Sequence, residues 1–238
     1  MTRSLMIPIL LAGLVGCSTG EVKLGVDVAA IKSAVTDPNA AGSAPSPLEV
    51  SRVRLLVAHA KIGYTGGTSG GGPDADAGPI VVDLTDDEIA NGAHREFDLG
   101  SLPSGSYGGA EIEIEPLDTD ASDAELADFR STGASVLVDG TYQGKSFQFA
   151  GHFLAEQGTD GEVTIDASSP AVLAMSVDPS TWFLDANGAA LDPTDGAQHD
   201  TLAVSICKTL DTQPQLAPSG RAGPGHGGEA HCVEQAAE

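Results

Sequence analysis

The chain of 238 residues carries 34 Asp and Glu against 11 Lys and Arg, a net charge of −23, which argues against a nucleic-acid partner because phosphate binding needs a basic patch. Gly and Pro number 30 and 14, short of the share that marks a low-complexity chain, and an apolar content of 41% is enough for a core. The length fits one domain with tails, since β-sandwiches run to about 200–250 residues as single units.

The N-terminus reads as an address. Arg3 precedes an apolar run from Leu5 to Val15, too short for the roughly 20 residues that cross a hydrocarbon core and so a secretory signal, not a span. Leu14-Val15-Gly16-Cys17, directly behind that run, resembles the lipobox of bacterial lipoproteins. The resemblance implies cleavage before Cys17, diacylglycerol on its thiol and a further acyl chain, such as palmitate, on its new amine. It also implies, from Ser18 in place of Asp, sorting to the outer membrane of a Gram-negative cell, facing the periplasm or the surface. Several acyl chains anchor stably where one is marginal, each buried CH₂ contributing about 0.8 kcal/mol. Residues 1–16 form the expected signal and 17–21 the lipidated tether. Loss of Arg3 leaves 10 basic against 34 acidic groups, a net −24, so lipid, not charge, must hold the chain to an anionic membrane.

Residues 22–210 are expected to fold as an all-β antiparallel sandwich of about 8–10 short strands with one or two short helices. Val22 to Val28 alternates as a half-buried strand, 37–47 has linker chemistry, and Val50 to Ile62 is the strongest strand of the N-terminal half. A Gly-rich loop at 63–79 separates it from its partner strand, Ile80 to Leu84. Thr85 and Glu88 fit a capping box that opens a short helix. Strands are expected at Arg95 to Leu99 and Ser106 to Glu115, the latter with Glu111, Glu113 and Glu115 on one face. A second capping box at Ser122 to Glu125 predicts a helix to about Arg130. Ser135 to Tyr142 and Ser146 to Leu154 flank Gln143-Gly144-Lys145, which reads as a hairpin turn whose Gly takes the positive φ. Val163 to Ala167, Ala171 to Val177 and Thr201 to Cys207 complete the strands, and 211–238 reads as a Gly-, Pro- and His-containing tail.

Leu102-Pro103-Ser104-Gly105-Ser106-Tyr107, together with Val138-Asp139-Gly140-Thr141, Phe147-Gln148-Phe149 and Val177 to Phe183, resembles a group of bacterial lipoproteins with an uncharacterised β-sandwich domain, transthyretin-like or immunoglobulin-like. The resemblance implies fold and location and brings no catalytic residues.

For chemistry, Ser69 sits in Gly67-Thr68-Ser69-Gly70-Gly71, the letters of a nucleophile elbow without the strand before it and helix after it that an elbow needs. No catalytic residue is assigned, and no cofactor is required. Asp74 and Asp76 have fragmentary calcium-loop spacing without the twelfth-position Glu, and turn chemistry is the plainer account. His226 and His231 in the tail suit zinc, with Cys232 a candidate thiolate. Since Cys17 is consumed by lipid, Cys207 and Cys232 form an even pair in an oxidising compartment, and a disulfide is the favoured use of both. Closing that loop of about 25 residues stabilises by about 3 kcal/mol on the chain-entropy model. His59, His94, His152 and His199 are scattered without ligand spacing, and Trp182 with Phe183 reads as a core plug. With ten aromatics in all, a stacking surface for sugars is disfavoured. The functional expectation is an envelope lipoprotein with a binding or structural module, partnered by the membrane and by another envelope protein or a glycan. The alternative is a divalent-metal carrier using acidic loops and the His tail.

Overall fold

The computed structural model describes residues 18–30, 48–63, 75–117, 123–159, 162–185, 190–210, 215–216 and 233–234. In chain order the elements are β1 (Thr19–Val28), β2 (Leu48–Gly63), β3 (Ala75–Ala77), β4 (Ile80–Thr85), α1 (Asp86–Asn91), β5 (Ala93–Pro103), β6 (Gly105–Tyr107) and β7 (Gly109–Ile114). They continue with α2 (Ala127–Thr132), β8 (Val136–Tyr142), β9 (Lys145–Gly151), β10 (Phe153–Thr159), β11 (Val163–Ile165), β12 (Ala171–Val177), α3 (His199–Leu210), β13 (Gln215–Leu216) and β14 (Val233–Glu234). One sheet has the order β13-β12-β1-β5 and the larger one β14-β10-β7-β2-β8-β9, with β3 and β4 also on β2; β6 and β11 form a small third pair. The all-β, sandwich-like expectation holds. A single core takes Val22, Leu24 and Val26 from one sheet and Val53, Leu55, Ile112, Ile114, Val136 and Phe149 from the other.

Strand β2 is the hub. Leu55 is registered with Val136 of β8 on one edge and Val82 of β4 on the other, and Ala60 with Ile112 of β7 and Ala77 of β3. Between these halves the register with β7 slips at Val57/His59. A strand alternates its faces, so one extra residue reverses every side chain beyond it. Val53, Leu55 and Val57 face the core before the slip, and Ala60 and Ile62 after it, with Ala58 as the extra residue. His59 and Lys61 are thereby turned to the outer face, where they are only half-buried. On the outer face of the first half, Leu56 packs with Leu126, Phe129, Ala134 and Leu137 in a satellite cluster capped by α2.

The β3–β4 connection fits against this bulge. Gly78 has φ +146°, and a Cβ there would meet the Ala58 carbonyl oxygen at 2.1 Å, so only glycine lets β3 lie this close to β2. The Leu102 to Tyr107 turn is also closed by its own chemistry. The fully buried Tyr107 donates its hydroxyl to the Pro103 carbonyl at 2.7 Å, which satisfies the one polar atom that burial would penalise.

The capping box at α1 is present, Glu88 accepting from the Thr85 backbone N–H at 2.9 Å. The hairpin at Gln143-Gly144 has positive φ at both residues, 51° and 76°, which matches the right-handed strand twist. Trp182 and Phe183 are buried, Phe183 edge-on to Phe147 and Phe149 at 5.6 and 6.1 Å.

Five expectations change. Ser106 to Glu115 divides at Gly108 into β6, paired with β11, and β7 of the larger sheet. Thr201 to Cys207 is not a strand but part of helix α3, because Leu202, Ala203, Ile206, Cys207 and Leu210 form a buried stripe at helical spacing. Helices thus number three among the described residues, beside two 3₁₀ turns. Strands β1 and β12 pair in parallel, so the smaller sheet is mixed, its distant partners joined by a long crossover. Ser146 to Leu154 divides at His152 into β9 and β10. The helix expected from Ser122 begins at Ala127 and ends at Thr132, where Gly133 at φ 67° donates back to the Phe129 carbonyl.

Replacing Gly78 with Ala should cost about 2 kcal/mol or more, because the backbone overlap has no side-chain atom to give way. Urea unfolding of wild type and variant measures this, and equal midpoints would show that β3 can retreat without loss.

Candidate functional site

The bulge and the period-two pattern of β7 build one polar face. With Ala110, Ile112 and Ile114 buried, the alternate residues of β7 point outward. Strand register sets Glu113 opposite His59, Glu111 opposite Lys61, Lys61 opposite Asp76, and Glu156 of β10 opposite Glu113. The Asp76 carboxylate accepts from His59 Nδ1 at 3.0 and 3.2 Å. His59 Nε2 stands 3.8 Å from Glu115 Oε1, Lys61 Nζ donates to Glu113 Oε1 at 2.5 Å and lies 3.9 Å from Glu111 Oε1. One ligand atom from each of His59, Glu113 and Glu115 lies within 4.8 Å of the other two.

The charges of this face are coupled. A proton shared with Glu113, partial burial, and repulsion from Glu113 and Glu156 push Glu111 up to about 7, with Lys61 opposing. Burial alone would raise Glu113 as well, but the bonds from Glu111 and Lys61 outweigh it and hold it low. His59 is raised, chiefly by its bond to Asp76, and Lys61 is raised by its bond to Glu113.

Elsewhere, a cleft of about 370 Å³ is lined by Arg52, Arg54, Arg95, Asp83, Glu125 and Asp128 among others. Arg52 grips Asp83 with two bonds of 2.8 and 2.6 Å, Arg95 Nε donates to Glu88 at 2.6 Å, and the buried Arg54 pairs with Asp128 and, at 3.3 Å, with Asp139. Every guanidinium here already meets a carboxylate. These pairs therefore tie β2 to β4, α2 and β8, and β5 to α1, and leave no net positive field for an anion.

Of the residues singled out in the sequence, Asp76 lies on β3 and bonds His59; Asp74, Ser69, Cys17, His226, His231 and Cys232 lie outside the described residues. Cys207 is buried on α3, its Sγ 3.5 Å from the Leu154 carbonyl oxygen. His152 Nδ1 lies 2.9 Å from the Gly133 carbonyl oxygen, His199 stacks on Phe149, and His94 bonds Asp27 at 2.7 Å. His59, Glu113 and Glu115 were not singled out together, since 54 and 56 residues separate the imidazole from the two carboxylates.

The raised Glu111 has a definite pH consequence. Its proton leaves the unfolded chain near pH 4.5 but the folded chain near 7, so its contribution to stability is full below pH 4.5 and is lost as pH rises to about 7. Glu113, held low, acts in the opposite sense below pH 4.5. Carboxyl NMR should show Glu111 titrating near 7, and Glu111→Gln should flatten the stability decline between pH 4.5 and 7; an ordinary carboxylate midpoint would contradict the coupling. Among known proteins, no family model, no curated protein and no solved structure matches the chain.

Proposed function

We propose that the chain is a lipid-anchored lipoprotein of the Gram-negative cell envelope, its β-sandwich serving as a non-catalytic binding or structural module for another envelope protein or a glycan. The observation that carries this reading is the short basic start and apolar run ending at Leu14-Val15-Gly16-Cys17, placed just ahead of a folded domain whose first strand opens at Thr19. No helix among the described residues is long and apolar enough to cross a membrane, which fits anchoring through acyl chains. The fold agrees with the lipoprotein group that the Leu102 to Tyr107 turn resembles, but fold alone does not name a ligand.

A Cys207–Cys232 disulfide belongs to the same reading. Val233 of β14 is registered opposite Leu154 of β10, and the Leu154 carbonyl oxygen lies 3.5 Å from Cys207 Sγ. Cys232 directly precedes Val233 in the sequence, and pairing it with Cys207 accords with the even cysteine count left after Cys17 is lipidated.

Cys17→Ser should move the protein from the membrane to the soluble fraction of lysed cells; unchanged fractionation would refute the lipid anchor. Mass spectrometry of non-reduced peptides should find Cys207 linked to Cys232, and free thiols at both positions would remove the disulfide.

A further inference from the structure

We propose that the outer face of β2, β3 and β7 binds one divalent transition-metal ion, zinc fitting best, through His59 Nε2 and the carboxylates of Glu113 and Glu115, with Asp76 orienting the imidazole. The site goes beyond the anchored-module reading and does not depend on it.

The ligand set selects the ion. Calcium and magnesium take oxygen ligands, whereas one imidazole with two carboxylates is a zinc-type set with a position left for water. The second contact of the imidazole supports the same choice. His59 gives its Nδ1 side to Asp76 at 3.0 Å, which places the proton on Nδ1 and the lone pair on Nε2, on the side of Glu115 Oε1 at 3.8 Å. Carboxylate, imidazole and metal in this order form the usual second-shell arrangement of zinc histidines.

Distance is compatible with closure. Ligand bonds of about 2.0–2.2 Å put two ligands of one zinc roughly 3.3–3.6 Å apart in a tetrahedron. The three atoms lie within 4.8 Å of one another, so side-chain rotations of about 1 Å complete the site without moving a strand. Glu115 follows the last residue of β7, where the chain leaves the ladder. Lys61 is the built-in competitor. Its ammonium holds Glu113 Oε1 at 2.5 Å, so a zinc ion must either take the other oxygen or displace the ammonium.

The test is competition of the purified full-length chain, carrying Cys17→Ser, with a chromogenic zinc chelator at pH 7.5. One zinc should bind per chain, and binding should survive His226→Ala with His231→Ala. Asp76→Asn should weaken it about 10–100-fold, the usual effect of losing an outer-shell partner. His59→Asn and Glu115→Gln should each weaken it at least as much, and Lys61→Met should tighten it. Circular dichroism without zinc checks that these outer-face variants keep the wild-type fold; Glu115→Gln, beyond the strand end, serves if His59→Asn does not. Cobalt substitution gives a second readout, a visible band that His59→Asn abolishes. Zinc binding lost with the tail histidines, unaffected by His59→Asn and Glu115→Gln, or absent at millimolar zinc would overturn the site. Since Cys17→Ser removes the anchor from the measurement, none of these outcomes depends on whether the lipid reading holds.

Discussion

Strand β2 has hydrogen-bonded neighbours on both edges, and the rest of the molecule is arranged around that condition. Four strands share its two sides, β8 then β7 on one and β4 then β3 on the other, and they agree in register only because the chain slips at Ala58. The slip divides β2 into two different surfaces. Ahead of it, the outer face carries Leu56 in a cluster with Phe129 of α2 beside the paired Arg52 and Arg54; beyond it lie His59 and Lys61, only half-buried. Gly78 packed on the Ala58 carbonyl keeps β3, and with it Asp76, at the second surface.

Charge is arranged by local pairing. Lys23 meets Glu96, Arg52 meets Asp83, Lys61 meets Glu113 and Arg95 meets Glu88, so each of these cations is matched to a carboxylate. Exposed pairs of this kind contribute about 0–1 kcal/mol each, whereas a fully buried Val, Leu or Phe contributes about 1.5–3. The core therefore carries the stability, and the pairs chiefly decide which carboxylates keep close company. Arg54 differs because its side chain is 8% exposed; a charge that deep is tolerable only with its two Asp partners in place.

Local signals in the sequence transferred well to the fold. The alternation in β7, the Thr85–Glu88 cap and the Gln143-Gly144 turn each depend on residues within a few positions of one another. Helix α3 was legible in principle from Leu202, Ala203, Ile206, Cys207 and Leu210, but a short segment with Val and Ile reads equally as a strand when period is judged over few residues. The parallel β1–β12 pairing joins residues about 150 positions apart and leaves no local trace. The polar face was half legible. Glu111 and Glu113 on β7 and Glu115 just past its end follow from alternation, and Asp76 reads in the sequence as a loop carboxylate. His59 could not be placed beside them, because strict alternation continued from Val57 would have pointed it into the core; the bulge is a property of register, which composition does not encode.

Strand β1 starts at Thr19, and just before it the Ser18 carbonyl accepts the Ser104 backbone N–H at 2.8 Å. Only Ser18 lies between Cys17 and Thr19, a reach of at most about 7 Å even when fully extended. An acylated Cys17 would leave this sandwich almost without a leash. Where a long flexible linker would let a module sweep a hemisphere of solvent, this one would be confined to a thin layer above the headgroups. Its encounters would then be set by diffusion in the plane of the bilayer and by the local concentration of other surface-bound molecules.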